Sequence, residues 1–276
     1  MKFANLHLHS IYSDGVLTPK QLVSIGKSLG YQALALTDHE TDGGVPRFLE
    51  KARAEGIDAI SGIEFYGMYE GLNLHLTALD FDMDNPTLRA VVSRRCELRY
   101  ECTKKRFELA AVDGMVDGIT WDEVERHTPS GAWFCIGSLV RAYDALNLPE
   151  PANLSARVFK TPEAEALGPK TPDAEEVIKV VRGAGGIIAL AHPYKRTHLI
   201  PGLVEMGLNG IEVSHPDNRE NTSYLATELA KEYNLYHCGG TDHTGAMSAM
   251  GGKHARPALH GLTEEEYYIL KERKRG

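Results

Sequence analysis

Seven short apolar or alternating runs recur along the chain, and each one carries or leads into a histidine or a carboxylate. They cover residues 5–9, 31–36, 59–63, 72–79, 186–191, 211–214 and 235–240. Runs of this length that are rich in aliphatic residues predict buried β-strands. The second run leads into Asp38 and His39, and the third leads into Glu64. Because polar groups at the carboxyl ends of barrel strands meet at one mouth, the pattern predicts a single site.

The first run contains two histidines, and an aspartate follows soon after it. In an extended strand His7 and His9 project from one face, whereas Leu6 and Leu8 project from the other. Asp14 follows in a Ser-Asp-Gly turn that lets the chain fold back over the strand end. Taken alone, the segment is equally compatible with two core histidines and a turn aspartate. The histidines and carboxylates of the later strands favour a metal site.

Helical patterns lie between several of these strands. Thr18 and Pro19 predict a helix start, and Gly30 predicts its end. Residues 45–54 and 221–233 show similar patterns. Strands that alternate with helices form parallel sheets covered on both faces. The predicted fold class is therefore α/β, most economically one barrel with an insertion.

The alternation is interrupted between residues 86 and 172. Helices are predicted over residues 88–112, from a capping box at residues 120–123, and over residues 136–146, followed by a loop over residues 149–172. The predicted division is a first part of the barrel (1–85), a helical insertion (86–172) and a second part of the barrel (173–276). The first of these helices carries seven basic residues, which either form a solvated surface or reach over the site.

Composition limits the classes of function. The chain has 276 residues, 42% of them hydrophobic, which is enough for a sizeable core. Its formal net charge of −8 disfavours an extended nucleic-acid surface. The four cysteines show neither a Cys-x-x-Cys pair nor the spacing of a secreted domain. With no signal peptide and no apolar run of membrane-spanning length, a cytoplasmic protein is expected. Nothing in the sequence predicts an oligomeric state.

Several motifs together resemble the polymerase and histidinol phosphatase (PHP) family. In chain order they are His7-Leu8-His9-Ser10, Ser13-Asp14-Gly15, Thr37-Asp38-His39, Gly62-Ile63-Glu64, His75, Ala191-His192-Pro193 and Gly240-Thr241-Asp242. The resemblance extends over nearly the whole chain apart from the helical insertion. It implies a distorted (β/α)7 barrel with an inserted helical subdomain. It also implies a stand-alone small-molecule phosphoesterase, because no polymerase follows.

The resemblance implies two metal ions that share one bridging carboxylate, Glu64. The remaining implied ligands are His7, His9 and Asp242 for the first ion, and His75 and His192 for the second. A mixed set of imidazoles and carboxylates suits manganese, iron or zinc, of which manganese is expected. Such ions activate water as hydroxide and take up charge on a phosphoryl group. Two or three divalent ions are therefore predicted cofactors.

A third ion is implied beside Asp14 and His39. The family pattern at the last strand is Asp-x-His, but Thr244 occupies the position of that histidine here. Since neighbouring residues of an extended segment point apart, His243 can complete the site only if the backbone kinks or bulges. The third site is therefore expected to be weak, empty or completed by His243 after such a distortion.

Other residues are candidates for acting on the substrate. Glu64 and Asp242 are predicted to be catalytic, and His215, at the end of the sixth strand, either protonates the leaving alkoxide or packs in the core. Candidate phosphate ligands are Arg141 in the insertion and Lys195 and Arg196 after the fifth apolar run, with solvated cations as the alternative. The expected substrate is a nucleotide phosphate, a sugar phosphate or a cyclic phosphodiester.

Two other functions remain open at this point. Carbon–nitrogen amidohydrolases also carry His-x-His on the first strand, but they usually use a bridging carbamylated lysine, and no predicted strand ends in a lysine. The second alternative is a non-catalytic metal-binding accessory module. A full ligand set with its own lid-like insertion makes this alternative the weaker one.

Overall fold

The computed structural model describes residues 2–219, 221–244 and 260–273. Within these ranges eight strands form two sheets. The strands are β1 (Ala4–Asn5), β2 (Ala33–Ala35), β3 (Asp58–Ile60), β4 (Gly62–Tyr69), β5 (Leu72–Leu79), β6 (Ile187–Leu190), β7 (Gly210–Ser214) and β8 (Tyr236–Gly239). β1, β2 and β3 form a parallel sheet, and β4 to β8 form a second sheet in chain order.

The second sheet is mixed, because β5 pairs antiparallel with both β4 and β6, whereas β6, β7 and β8 are parallel. The α/β class is confirmed, but the described strands do not form a closed (β/α)7 barrel. The β4–β5 hairpin takes the place of a strand–helix–strand unit. Backbone hydrogen bonds still join the two sheet edges beside the site. Leu6 N donates to Gly239 O at 3.0 Å, and Glu40 N donates to Glu64 O at 2.9 Å.

Helices lie between and outside the strands. They are α1 (Pro19–Ser28), α2 (Val45–Glu55), α3 (Pro86–Val112), α4 (Trp121–Arg126), α5 (Ile136–Ala145), α6 (Leu154–Phe159), α7 (Pro162–Ala166), α8 (Ala174–Gly183), α9 (Ile200–Glu205), α10 (Thr222–Glu232) and α11 (Glu264–Glu272). The predicted start of α1 is confirmed, since Thr18 and Gln21 form a capping box there. None of the helices in the described part of the chain combines the length and apolar character needed to cross a bilayer.

Two local predictions are wrong. The segment 149–172 is not a continuous loop, because α6 buries Leu154 and Val158, one helical turn apart, against the neighbouring helices. The third apolar run is two strands, and Glu64 lies inside β4 instead of following a strand end. The reason is that β4 pairs with β5 along its whole length, from Gly62 to Tyr69.

The long helix α3 contacts two hydrophobic clusters. Near its start Leu88 and Val92 pack into the main core with the sheet strands. Near its end Phe107 and Ala110 belong to a separate cluster formed with α4, α5 and α6. The helices between β5 and α8 therefore have apolar packing of their own. The division at residues 85 and 172 stays a prediction.

Candidate metal centre

Four side chains converge where the chain leaves β1, passes through β4 and leaves β8. His7 Nε2 lies 3.1 Å from His9 Nε2, and His9 Nε2 lies 2.9 Å from Oδ1 of Asp242. Glu64 Oε2 lies 3.4 Å from His7 Nε2 and 3.3 Å from His9 Nε2. Ligands about 2.1 Å from one ion in a tetrahedral arrangement are about 3.4 Å apart. The spacing of this first group therefore fits one divalent cation.

The electrostatics of the first group also fit a cation. Two imidazole nitrogens at 3.1 Å share at most one proton, and the neighbouring ionised carboxylates only accept hydrogen bonds. Burial lowers the pKa of the His7 ring, but the charges of Glu212 and Glu64 outweigh it and raise that pKa well above the ordinary value. Burial likewise opposes the ionised form of Glu64, yet the neighbouring histidines hold its pKa well below the ordinary value. The negative potential at this point attracts positive charge.

The second group lies on the other oxygen of Glu64. Its Oε1 is 3.0 Å from His75 Nδ1 and 3.3 Å from His192 Nε2. The side chains of His75 and His192 are 27% and 26% exposed, whereas Glu64 is 1% exposed. The two oxygens of one buried carboxylate thus face two different sets of histidines. The second set is the more accessible of the two.

The third group is looser. Asp14 Oδ1 lies 3.7 Å from His9 Nδ1, and Asp14 Oδ2 lies 4.0 Å from His39 Nε2. The other nitrogen of His39 lies 3.1 Å from Glu64 Oε2. Burial lowers the pKa of His39 to about 4, so this ring is neutral at physiological pH and can act as a ligand. Asp14 and His39 are close, but their separation exceeds those in the first two groups.

The segment that follows β8 is distorted as a third site would require. Asp242 has a φ of 49°, and His9 N donates to His243 O at 3.1 Å. His243 is buried, but its ring belongs to none of the groups of three candidate ligands formed by the described residues. Thr244 O accepts a hydrogen bond from Val16 N. The role predicted for His243 therefore stays a prediction.

Comparisons with known proteins identify the family of this chain. A family model for the PHP domain matches residues 5–126. A phosphoribosyl 1,2-cyclic phosphate 1,2-diphosphodiesterase from Eggerthella lenta is 31% identical over 250 residues, which are 87% of this chain and 94% of the relative. The chain belongs to the PHP family. The resemblance inferred from the sequence motifs is confirmed.

Other similar proteins extend the comparison of this PHP protein. A 5'-3' exoribonuclease from Haemophilus influenzae is 28% identical, and the match covers 86% of this chain and 88% of the relative. A 3',5'-nucleoside bisphosphate phosphatase from Chromobacterium violaceum is 27% identical, with 86% of each chain covered. A solved structure from Bifidobacterium adolescentis has a TM-score of 0.79 at 24% identity and covers 98% of this chain and 95% of its own. At that identity the likeness shows the fold alone.

Sequence reasoning missed Glu212, which lies inside β7 of the PHP protein. Its side chain is fully buried, and its Oε1 is 2.7 Å from His7 Nδ1. Its Oε2 accepts a hydrogen bond from the backbone N–H of His192 at 2.7 Å. His7 turns its Nε2 toward the first group and its Nδ1 toward Glu212, so Glu212 hydrogen-bonds the ring from the side away from that group and orients ligands of both main groups. A lone acid between Ile211 and Val213 was the available signal.

His215 lies behind the first group. Its Nδ1 accepts a hydrogen bond from the backbone N–H of Asp217 at 2.9 Å, which leaves the proton on Nε2. That Nε2 lies 3.3 Å from Oδ2 of Asp242. The His215 ring is 1% exposed. This placement favours orientation of Asp242 over proton donation to a substrate.

Asp38 holds the loop that carries Asp14. One carboxylate oxygen of Asp38 accepts hydrogen bonds from Ser10 N and Ser13 Oγ, and the other accepts one from Ser10 Oγ, all at 2.6 Å. Burial raises the pKa of this carboxyl, and the three donors oppose that rise. The loop between β1 and α1 is thus fixed from inside the protein.

A buried ion pair connects α3 to the rings around the centre. Arg95 and Glu40 form this pair, and Arg95 Nη2 also donates to Tyr66 O at 2.9 Å. Glu40 Oε1 accepts from Tyr66 N, so the pair holds both polar groups of the Tyr66 backbone. The Tyr66 ring stacks on His39 at 5.1 Å and meets the edge of His75 at 4.6 Å. The helix α3 is therefore coupled to two candidate ligands.

The predicted phosphate ligands occupy different settings. Arg141 is partly buried, donates to Ser138 Oγ at 3.3 Å, and interacts electrostatically with Asp38 and Asp14. Burial lowers the pKa of its guanidinium. Lys195 is exposed, with its Nζ 5.3 Å from the Tyr194 ring, and Arg196 follows it in the loop after β6. Arg141 interacts electrostatically with Asp14 of the third group, whereas neither loop cation contacts the candidate ligands described above.

Proposed function

We propose that this PHP protein hydrolyses small phosphorylated metabolites, with nucleotide phosphates, sugar phosphates and cyclic phosphodiesters as candidate substrates. Its relatives include a phosphodiesterase and a bisphosphate phosphatase, and the enzyme class is that of a metal-dependent phosphoesterase. The substrate class and the roles of individual residues are the proposal. It rests mainly on Glu64, whose two oxygens face the two separate histidine sets.

The first ion in this proposal is held by the buried group. The ligands assigned to it are His7, His9, Glu64 and Asp242. Glu212 hydrogen-bonds to His7, and the His215 ring faces Asp242. Both contacts fix the orientation of a ligand of the first ion. Neutral imidazole nitrogens and carboxylates suit manganese, iron or zinc, and manganese is the ion with which we would begin.

The second ion is assigned to Glu64, His75 and His192. When bound, the ions supply Lewis acidity that activates water and offsets phosphoryl charge. His75 and His192 are the more exposed ligands, so the substrate is expected to approach from their side. Arg141 interacts electrostatically with Asp14 and is assigned to a phosphate oxygen of the substrate. The bridging position between the two histidine sets is assigned to the carboxylate of Glu64, and not to the carbamylated lysine that the amidohydrolase alternative usually uses.

A substrate screen with manganese tests the activity. We would measure product release from 4-nitrophenyl phosphate, bis(4-nitrophenyl) phosphate, sugar phosphates, nucleoside bisphosphates, cyclic phosphates and a short 5'-phosphorylated oligoribonucleotide. Release from at least one monoester or diester is expected, and the preferred class separates a monoesterase from a diesterase or exonuclease. Absence of hydrolysis across the panel with manganese, iron and zinc would contradict the proposal.

Glu64→Gln tests the assigned centre. The change keeps the side chain nearly isosteric but removes the bridging charge, so turnover should fall at least 100-fold while the unfolding midpoint changes little. Bound metal is measured in the same preparations. Glu101→Gln, at an exposed position on α3, is the matched control. Near-normal turnover with normal metal content in Glu64→Gln would show that the assignment is wrong.

A further inference from the structure

A large cavity lies beside the candidate metal centre, between α3 and the segment that joins α7 to α8. Its volume is about 1010 Å³, at the upper end of the range typical of small-molecule sites. Tyr66 and Trp133 line it, and their rings also pack on His39, at 5.1 and 5.3 Å. One layer of aromatic side chains therefore separates the cavity from a candidate metal ligand.

The charge of the cavity is opposite to that of the whole protein. Its lining contains five basic and three acidic side chains, although the chain carries a formal net charge of −8. The basic residues are Arg94, Arg95, Arg99, Arg106 and Lys170, and the acidic residues are Glu40, Glu165 and Glu176. A local excess of positive charge in a concave site attracts anions.

Most of the arginines already have partners. Arg95 is paired with Glu40, and Arg94 lies 3.6 Å from Glu97 on the exposed side of α3. Arg106 is buried and donates its Nε hydrogen to a backbone carbonyl at 2.7 Å. Arg94 and Arg95 therefore have carboxylate partners, whereas Arg106 is held through its Nε.

Arg99 is fixed through Nε in the same way as Arg106, but of these four arginines it is the one that stacks on Trp133, whose ring also packs on His39. Its Nε donates to Phe134 O at 2.8 Å, and its guanidinium carbon lies 4.1 Å from the centre of the Trp133 ring. None of the ion pairs among the described residues includes Arg99, and neither of its terminal nitrogens donates a hydrogen bond to another described residue. A guanidinium that is stacked and fixed through Nε presents its two terminal nitrogens as a fork for an oxyanion.

We propose that Arg99 binds a second anionic group of the substrate inside this cavity, while the scissile phosphate lies at the metal centre on the other side of Tyr66 and Trp133. The inference rests on the proposed phosphoesterase function and names a narrower substrate class: phosphate esters that carry an additional phosphate or carboxylate. Stacking on Trp133 fixes the plane of the guanidinium fork. The enzyme is therefore expected to select substrates by the distance between their two anionic groups.

The test compares substrates that differ by one anionic group. Adenosine 3',5'-bisphosphate, 3'-AMP and 5'-AMP are assayed with manganese beside 4-nitrophenyl phosphate, which has no second anion. The variants are Arg99→Gln, Arg99→Lys and Arg89→Gln. Arg89 lies on the same helix, outside this cavity and 64% exposed, so its variant removes an equal charge as the matched control.

Wild-type enzyme should prefer the bisphosphate over the better monophosphate by at least tenfold in kcat/KM, which corresponds to about 1.4 kcal/mol. Arg99→Gln should abolish that preference and stay within threefold of wild type on 4-nitrophenyl phosphate. Arg99→Lys, which keeps the charge but not the fork, should be intermediate, and Arg89→Gln should match wild type. A missing preference in wild type, or an equal loss on both kinds of substrate in Arg99→Gln, would overturn the inference.

A binding experiment separates this inference from the phosphoesterase proposal. Adenosine 3',5'-bisphosphate is titrated calorimetrically into wild type, Arg99→Gln and Arg99→Lys without added metal. Weakening of at least tenfold in Arg99→Gln supports the anion site even if no substrate is hydrolysed. Equal affinity in all three proteins would overturn it even if hydrolysis is observed. If Arg99→Gln does not fold, the comparison of wild type with Arg99→Lys decides, since loss of the fork alone should weaken binding.

Discussion

Glu212→Gln is the most informative change outside the ligand set. The glutamate is fully buried, and each of its oxygens accepts one hydrogen bond at 2.7 Å, from His7 Nδ1 and from His192 N. Glutamine has one acceptor oxygen, so its NH2 group must face one of these two donors. If it faces His7, the ring must move its proton to Nε2, where it blocks the nitrogen aimed at the first ion.

The magnitude follows from this geometry. Loss of an outer partner of a ligating histidine costs 10- to 100-fold in metal affinity or activity, which corresponds to roughly 1.4–2.7 kcal/mol. Because Glu212 is fully buried and both of its oxygens are engaged, no solvent can replace the lost acceptor, and the upper part of the range is expected. The ligands themselves are unchanged, so the effect should be smaller than that of Glu64→Gln.

The assay is a calorimetric titration of metal-free protein with manganese, together with kcat and KM on the best substrate. Glu228→Gln is the control, because Glu228 lies on α10, which packs on β7, and pairs only at the surface with Lys231. Circular dichroism and thermal unfolding verify that the variants fold. Manganese affinity and turnover within twofold of wild type in Glu212→Gln would refute the argument that this carboxylate sets the orientation of His7.

Three further predictions concern Arg141, the third metal site and helix α11. Arg141→Ala should raise KM severalfold for a phosphate ester, and unchanged kinetics would move the phosphate contact elsewhere. Protein purified without chelator should hold two ions tightly, and His243→Ala should hold the same two, whereas three ions in wild type and two in the variant would mean that His243 completes a third site. A hydrogen bond with His237 lowers the pKa of Glu266 to about 2, so the pair stabilises the fold above the ordinary carboxyl pKa and loses this effect as pH falls toward 2. Glu266→Gln should therefore lower Tm by a few degrees at pH 7 and not near pH 2, and a difference independent of pH would contradict this assignment.

Alternation along extended segments was the reliable part of the sequence reasoning. It placed His7 and His9 on one face, and their Nε2 atoms are 3.1 Å apart. It also separated His75 from Leu74 and Leu76, and the two leucines are buried while His75 is partly exposed. A period of two is a geometric property of the extended chain, so it holds even where only two residues of the first segment form a regular strand.

Pairing and packing between distant segments were not predictable in the same way. An apolar run does not reveal whether its neighbour pairs parallel or antiparallel, so the β4–β5 hairpin and the two sheets were missed. The helix α6 is six residues long, too short to be stable by its own propensity. Its stability comes from burying Leu154 and Val158 among helices that lie elsewhere in the sequence.

Glu212 shows which rule would have improved the site prediction. A carboxylate inside an apolar strand is costly unless it is paired, so such a residue predicts a buried partner even when the partner is unknown. Here the partners are a histidine on the first extended segment and a backbone group that follows β6. An acidic residue flanked by apolar residues in a predicted strand thus indicates a side chain that orients the ligands of a site. Polar residues at strand ends indicate the ligands themselves.

The candidate ligands differ in their exposure to solvent, and the more exposed ones lie on the side of the cavity. His7, His9 and Glu64 are at most 1% exposed, whereas His75 and His192 are about a quarter exposed. Glu212 fills the buried side, and His75 and His192 are the most exposed of the ligands assigned to the two ions, so a substrate is expected to approach from their side. Tyr66 meets the edge of His75 on that side and lines the cavity that holds the guanidinium of Arg99. A substrate that approaches His75 therefore extends past Tyr66, which is why a second anionic group on the substrate, and not the ligand set, is expected to decide specificity.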